Sequence, residues 1–193
     1  MALITAADVD WWAPQATAAG SGVVAEAIRR AQGLADDYCH RPLELAAFSL
    51  YLDVPDYIQT LALGRWPLVV DATHTLTVTA DPDSTAPTTV DATDYAADTV
   101  AGRLISLEGY WNSGLRALKV EGYAGYTSTT APAGLKTALV KLVAWLISSR
   151  GGGGVQSESV DGYSVTLEPM VGNMPQSIAA LFDPYKRVGI SWA

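Results

Sequence analysis

Four side chains that can bind metal ions stand close together near the end of a predicted helix. Asp36, Asp37, Cys39 and His40 are near neighbours in the sequence, and Asp36 and His40 have the i, i+4 spacing that places two ligands on one helix face. No second cluster supplies a third and fourth ligand, because the other histidine, His74, stands in a Thr-rich stretch. A solvated helix end is therefore the preferred interpretation, and no metal site is predicted.

Nucleophilic catalysis is the second chemistry to consider. Cys39 is the only cysteine, which excludes an internal disulfide and a cysteine-based zinc site within one chain. An inert helix cysteine explains it better than a nucleophile does. No serine stands in a nucleophile-elbow motif, and a triad would have to recruit His40 or His74 by coincidence. We expect no catalytic residue, no cofactor and no enzymatic activity.

Two loop motifs resemble ligand sites only in part. Asp81-Pro82-Asp83-Ser84 has the acidic start of a calcium loop but lacks its glycine and closing glutamate, so it predicts a turn. The glycine run from Gly151 to Gly154 follows a predicted helix, whereas a phosphate-binding loop precedes one, and no Lys-Ser or Lys-Thr pair comes after it. It predicts a flexible hinge.

Aromatic side chains are the remaining candidate for ligand binding. The chain has six tryptophans and nine tyrosines, and their faces can stack on sugars or on unpaired bases. Interface and core packing is the preferred interpretation, because these residues are spread over different predicted elements and aromatics are enriched at protein interfaces. A monomeric module that binds glycan or peptide is kept as the alternative function of a different class. The scattered tryptophans are Trp12, Trp66, Trp111, Trp145 and Trp192.

Composition limits the remaining possibilities. At 193 residues, with 49% hydrophobic and 17% charged residues, the chain can form one domain with a substantial core, or one domain plus an insert. The net charge of −8 opposes broad binding to phosphate backbones. No apolar run is long enough to cross a bilayer, and the N-terminus has no basic region followed by an apolar core. We expect cytoplasmic synthesis without export or membrane contact.

The segment 132–150 carries the strongest helix signal. Its large apolar residues recur at helical spacing, Pro132 suits the first turn, and the glycine run ends it. Val140 and Trp145 lie off the main apolar stripe, and Arg150 places a cation at the far end. Because such a helix meets neighbours on more than one side, these three residues are candidates for a subunit interface.

The rest of the chain is predicted to surround this helix. Capping signals and helical spacing predict helices at 5–12, where Thr5 accepts from Asp8 and Ile4 packs on Val9, and at 21–39, where Ser21 is the cap. Two-residue alternation predicts a small antiparallel β insert over 46–126. The expected fold is α+β, with antiparallel helices around a long central helix. It comprises a single domain at 1–150 and a glycine-hinged C-terminal arm at 151–193.

The arm has a pattern suited to contact with a partner. Residues 163–167 alternate like a strand, and a short helix begins at Pro175. Apolar residues on one side of that helix are followed by an aromatic residue and two cations, a combination that fits an acidic or carbonyl-rich surface. The alternative is that this helix packs on Leu139 and Leu146 of its own subunit. The candidate contact residues are Ile178, Leu181, Phe182, Tyr185, Lys186 and Arg187.

Five short motifs follow one another over most of the chain. They are Arg65-Trp66-Pro67, Tyr95 with Gly102-Arg103, Tyr123 with Gly125-Tyr126, Arg150 at the end of the long helix, and Leu181 with Pro184-Tyr185-Lys186-Arg187. In this order the sequence resembles the head-to-tail connector, or adaptor, family of long-tailed bacteriophages. Trp11 and Trp12 match no motif of that family.

The resemblance implies a structural virion protein. Connectors of this kind form a ring, usually of twelve copies, that docks beneath the portal and presents a surface to a stopper or tail-completion protein. It implies a location in the head-tail neck, DNA passing through the lumen without specific binding, and portal contact through the C-terminal arm. Another tail-completion protein or a minor capsid protein is the alternative within the same class.

Overall fold

The chain folds as two units that are interleaved along the sequence. The computed structural model describes residues 2–14, 20–149, 157–160, 163–166, 169–171 and 173–186. One unit comprises Met1–Leu43 with Thr127–Lys186 and is called the helical unit; the other comprises Glu44–Tyr126 and is called the sheet unit. Among the described residues, no helix combines the length and apolar character that a membrane span requires.

The first helix, α1 (Ala6–Trp12), has the predicted capping box. The Asp8 backbone N–H donates to Thr5 Oγ1 at 3.3 Å, and the Thr5 N–H donates back to Asp8 Oδ2 at 2.7 Å. Ile4 and Val9 are both fully buried, as a hydrophobic staple requires. The sequence therefore specifies this helix start locally.

Replacing Thr5 with alanine should lower the free energy of unfolding by about 1 kcal/mol, because an N-terminal donor loses its acceptor. Hydrogen bonds from Thr5 lower the pKa of Asp8. This stabilisation is therefore present above the ordinary aspartate pKa and is lost as pH falls through the lowered folded-state value. Urea unfolding of both proteins at neutral pH and at a pH of about 3 checks this. A difference that does not shrink in acid would contradict the role of the box.

Three further helices are described in the helical unit. They are α2 (Ser21–Cys39), α3 (Ala133–Ser148) and α4 (Gln176–Phe182), and α2 and α4 both pack on α3. The predicted apolar stripe of α3 is confirmed in its first three turns, where Leu135, Leu139 and Leu142 are fully buried. Ser21 is the first helical residue of α2 and not its cap; Gly20 takes the cap position with φ of +97° and no side-chain hydrogen bond.

The sheet unit contains two antiparallel sheets. The larger has the strand order β1-β8-β4-β5, with β3 also paired to β8, and the smaller has the order β2-β7-β6. The strands are β1 (Ala46–Val54), β2 (Thr60–Ala62), β3 (Leu68–Val69), β4 (Thr77–Ala80), β5 (Thr88–Thr89), β6 (Tyr95–Asp98), β7 (Arg103–Ser106) and β8 (Gly114–Ala124).

This unit has a hydrophobic core of its own. β1 and β8 are paired over most of their length, with Leu50 opposite Val120 and Leu52 opposite Leu118. Val120 and Leu118 are fully buried. The alternation predicted for β1 is confirmed, since its exposed and half-buried residues alternate up to a buried Val54. The other buried members are Leu61, Leu63, Leu68, Val78, Tyr95, Leu104, Trp111, Ala117 and Ala124.

The predicted architecture is wrong. The described residues form short helices and antiparallel strands in a mixed α+β fold, not a helical core around a long central helix with a small β insert. The β region is a unit with two sheets and its own buried cluster. The error arose because α3 is apolar enough to resemble a central element, whereas several strands of two to four residues are too short to give a periodic signal.

Two hairpins lie between α3 and α4 in the sequence. One pairs β9 (Ser157–Val160) with β10 (Tyr163–Thr166), and the other pairs β11 (Met170–Val171) with β12 (Met174–Pro175). The strand predicted at 163–167 is present over Tyr163–Thr166, and Leu167 lies outside the described residues. The hinge predicted at Gly151 to Gly154 lies outside the described residues.

Candidate interaction surfaces

The acidic cluster at the end of α2 is a helix terminus. His40 follows the helix with φ of +54°, so it does not continue the face that carries Asp36. The Asp36 carboxylate accepts the Leu43 backbone N–H at 2.8 Å, which ties down the chain after the helix. Within the ranges that the structure describes, no three His, Cys, Asp or Glu side chains are grouped to hold a metal ion.

The Cys39 thiol is fully buried at the same helix end. Burial raises its pKa to about 11, so the thiol is protonated at neutral pH. Its Sγ lies 3.8 Å from the carbonyl oxygen of Phe182, to which it donates a weak hydrogen bond. A protonated, inaccessible thiol is not a nucleophile, and Cys39 packs against α4.

The acidic loop after β4 is a turn, as predicted. The Ser84 N–H donates to the Asp81 carbonyl oxygen at 3.0 Å, and Asp81 has φ of +48°. Asp83 Oδ2 lies 2.8 Å from Arg116 Nε, so that carboxylate is engaged in an ion pair.

The helix that carries the predicted portal contacts packs against its own subunit. Phe182 has no exposed surface and Ile178 is buried, whereas Leu181 is 36% exposed. α4 contacts both α2 and α3 within the helical unit. Among the described members of the predicted contact set, Leu181 is exposed and Tyr185 and Lys186 are half-buried, so these three keep surface that a partner can reach. Arg187 lies outside the described residues.

The turn after α4, a 3₁₀ turn at Asp183–Tyr185, is attached to the end of α2 by polar contacts. The Tyr38 hydroxyl donates to Asp183 Oδ1 at 2.8 Å, and Lys186 Nζ lies 2.9 Å from the same carboxylate oxygen. The Lys186 ammonium also lies 3.8 Å from the centroid of the Tyr38 ring. Arg41 Nε donates to the Tyr185 carbonyl oxygen at 2.8 Å. These contacts fix the direction in which the chain leaves α4.

The three candidates for a subunit interface lie in different environments. Val140 is buried inside the helical unit. Trp145 is half-buried, as are Leu146 and Ile147 beside it, so the last turn of α3 presents apolar surface that its own chain covers incompletely. Arg150 lies outside the described residues. Of the two candidates that the structure describes, Trp145 is the one with surface available to another copy.

Exposed aromatic pairs form a feature that sequence reasoning missed. Trp11 and Trp12 at the end of α1 are both exposed, with ring centroids 5.3 Å apart and planes at 73°. Tyr57 and Tyr110 in the sheet unit are exposed as well, with centroids 5.7 Å apart and planes at 86°. Both pairs are edge-to-face, so neither offers the parallel faces of a stacking platform for bases or sugars.

The loops that carry Tyr57 and Tyr110 are joined by hydrogen bonds. The Trp111 backbone N–H donates to the Ile58 carbonyl oxygen, and its indole N–H donates to the Gln59 carbonyl oxygen, each at 2.9 Å. Tyr57 has φ of +60°, an unusual conformation for a bulky residue. These hydrogen bonds therefore join the two loops beside the exposed pair, although the two tyrosines are far apart in sequence.

The outer face of β1 and β8 is mostly polar. The Tyr51 ring lies 4.0 Å from the Arg116 guanidinium carbon, and Lys119 Nζ pairs with Glu121 at 2.9 Å. A shallow hollow of about 400 Å³ lies over this sheet. Its lining contains no pair of acid and base groups arranged for catalysis; it consists of Ala47, Phe48, Ser49, Thr75, Thr77, Glu121, Gly122 and Tyr123.

Three solved structures that share this fold come from gene transfer agent (GTA) particles. A chain in the neck of the native GTA particle, computed with C12 symmetry, has a TM-score of 0.60 at 16% identity, and the match covers 98% of this chain and 96% of that one. A chain in the neck of the empty particle, computed with C6 symmetry, has a TM-score of 0.59 at 18% identity, covering 91% and 84%. A chain in the native virion has a TM-score of 0.60 at 17% identity, covering 90% and 82%. No protein-family model and no curated protein sequence matches the chain. The chain therefore shares its fold with proteins found in the neck and virion of that particle.

Proposed function

We propose that this protein is a structural component of the head-tail neck of a phage-like particle. The observation that carries the proposal is the match to a chain of the GTA neck over nearly the full length of both chains. A match of that extent includes both the helical unit and the sheet unit. The order of motifs that resembles phage connectors is independent support, because it comes from residues and not from the backbone.

Within the neck, the proposed role is that of the adaptor. Copies of the chain form a closed ring that docks under the portal and offers its other side to a stopper or tail-completion protein. The similar neck structures were computed with C6 and C12 symmetry, which supports a cyclic homo-oligomer. The proposed role is structural and non-enzymatic, which is supported by the shared fold with components of a particle neck.

The acidic balance of the chain supports passive contact with DNA. The net charge is −8, and several cations of the described residues pair with carboxylates, including Arg29 with Glu26 and Arg116 with Asp83. Tight DNA binding requires a cluster of cations that release counterions. A channel with few such clusters lets the duplex slide.

Portal contact is proposed for the part of the C-terminal segment that keeps accessible surface: Leu181 is exposed, and Tyr185 and Lys186 are half-buried. Leu181, Tyr185 and Lys186 supply an apolar, an aromatic and a cationic group, and Arg187 follows them in sequence. Phe182 and Ile178 attach the segment to its own subunit. A segment fixed in this way loses less conformational entropy on binding than a free arm.

Trp145→Glu should prevent assembly of the ring while the monomer stays folded, because a charge would replace half-buried apolar surface in every copy of a repeated interface. Sedimentation velocity should show loss of the oligomer, and circular dichroism should remain unchanged. Lys141→Glu is the matched control, since it adds negative charge at an exposed position of the same helix. Normal assembly of the Trp145 variant would remove this residue from the interface.

A further inference from the structure

β1 is an open edge of the five-stranded sheet. It pairs with β8 and with no other strand in the described part of the chain. At nine residues it is a long edge, and such edges pair with other chains unless they are protected. Residues 46–52 carry no proline and no charged side chain, which protect natural edges, and the one register shift of the strand, between Leu52 and Val54, lies at its far end.

The pairing on the far side of β8 identifies the outward backbone groups of β1. The Asp81 N–H donates to the Ala117 carbonyl oxygen at 2.9 Å, so Ala117 directs its backbone groups towards β4. Successive residues of an antiparallel strand alternate in this respect, so Leu118 directs its groups towards β1, where it opposes Leu52. Tyr51 therefore directs its N–H and C=O away from β8, and Ser49 and Ala47 do the same.

The core beneath β1 is also incompletely covered at this edge. Phe48, Leu50 and Leu52 pack on the buried cluster but are only half-buried themselves. An additional strand beside β1 would bury more of these side chains. About 25 cal/mol is gained for each Å² of apolar surface removed from water, so the edge favours occupation by an apolar strand.

The β9-β10 hairpin forms a sheet of only two strands. Val160 opposes Tyr163 and Ser157 opposes Thr166, and these strands pair only with each other among the described residues. A two-stranded hairpin of four residues a side is at best marginally stable in water. In sequence, Tyr163 and Val165 alternate with hydroxyl residues, which matches the alternation of apolar and polar residues in β1.

We propose that the β9-β10 hairpin of one copy adds to the open edge of β1 in the adjacent copy. This inference rests on the proposed ring and names the contact that closes it. A cyclic ring needs two different surfaces that meet head to tail, and a hairpin and a strand edge are two such surfaces. Main-chain hydrogen bonds give affinity in this mode of recognition, and alternating side chains give specificity.

Ser49→Pro tests the edge without disturbing the subunit. The Ser49 N–H points away from β8, so proline removes an outward donor and leaves the β1-β8 bonds in place; edge strands tolerate proline at such positions. We expect loss of the oligomer in sedimentation velocity with an unchanged circular dichroism spectrum. Ser49→Thr, which keeps the donor, should assemble as the parent does. If the proline variant is folded and assembles normally, the edge is not the contact.

Crosslinking identifies the occupant. In the full-length chain with Cys39→Ala, one tagged copy carries Ser164→Cys and a differently tagged copy carries Ala47→Cys, Ser49→Cys or Tyr51→Cys. Mild oxidation of the mixture should give a mixed-tag covalent dimer with at least one of the three. If a ring forms but no mixed-tag dimer appears with any of the three, the hairpin contact is overturned and the proposed ring still stands. If the parent chain never assembles, both the contact and the proposed ring are overturned.

Discussion

Phe182→Ala should destabilise the helical unit by about 3–5 kcal/mol, the range for truncating a fully buried phenylalanine. The ring has no exposed surface and lies edge-to-face with Tyr38 at a centroid distance of 6.5 Å. Its removal leaves a cavity where α4 meets the end of α2, beside the buried Cys39. Removal of the Phe182 ring should also weaken the contacts of Tyr38 and Lys186 with Asp183, because these contacts depend on the packing of α4 against α2.

Leu181→Ala is the matched control, because this adjacent residue of the same helix is 36% exposed. We expect its cost to be no more than about 1 kcal/mol. Chemical denaturation followed by circular dichroism gives both values. Equally small losses for the two variants would mean that α4 is not part of the folded unit and behaves as a detached arm.

Gly102→Ala should cost about 3–5 kcal/mol, since two penalties act together. Gly102 has φ of +65°, and a Cβ at this position would overlap the carbonyl oxygen of Arg65 and lie 3.1 Å from Trp66 Cβ. The obstacle is mostly backbone, which cannot rotate away as a side chain can. The close packing of the Arg65-Trp66-Pro67 segment against the Gly102-Arg103 turn therefore requires glycine at position 102.

Gly109→Ala separates the two penalties. Gly109 also has a positive φ, of +116°, but nothing lies within 4 Å of an added Cβ. Its cost should be limited to the conformational penalty, about 1–2 kcal/mol. Thermal unfolding of both variants checks which substitution costs more stability. An equal loss of stability at the two sites would show that the close contact with Arg65 adds no penalty.

The helical unit was largely predictable because its signals are local. The capping box of Thr5 and Asp8 depends on residues three apart, and the spacing of Leu135, Leu139 and Leu142 fixes the buried face of α3. These features need no knowledge of the rest of the chain. The orientation of α4 is not predictable from spacing alone, because Phe182 contacts Cys39, which lies 143 positions earlier in the sequence.

The sheet unit was underestimated because its organisation is not local. β3 and β5 have two residues each and carry no periodic signal, and β8 acquires neighbours on both sides from strands distant in sequence. The exposed pair of Tyr57 and Tyr110 depends on two loops joined through Trp111. Only the fold brings such residues together, so sequence spacing alone does not reveal the surface.

The adaptor ring is tested most directly by cryo-electron microscopy of the purified chain, alone and mixed with the portal protein of the same particle. We predict closed rings, and we expect twelvefold symmetry when they are bound to the portal, because a neck structure with this fold was computed with C12 symmetry. Strictly monomeric particles under both conditions would contradict this account. So would binding to a glycan or peptide library by a chain that never associates with itself or with portal.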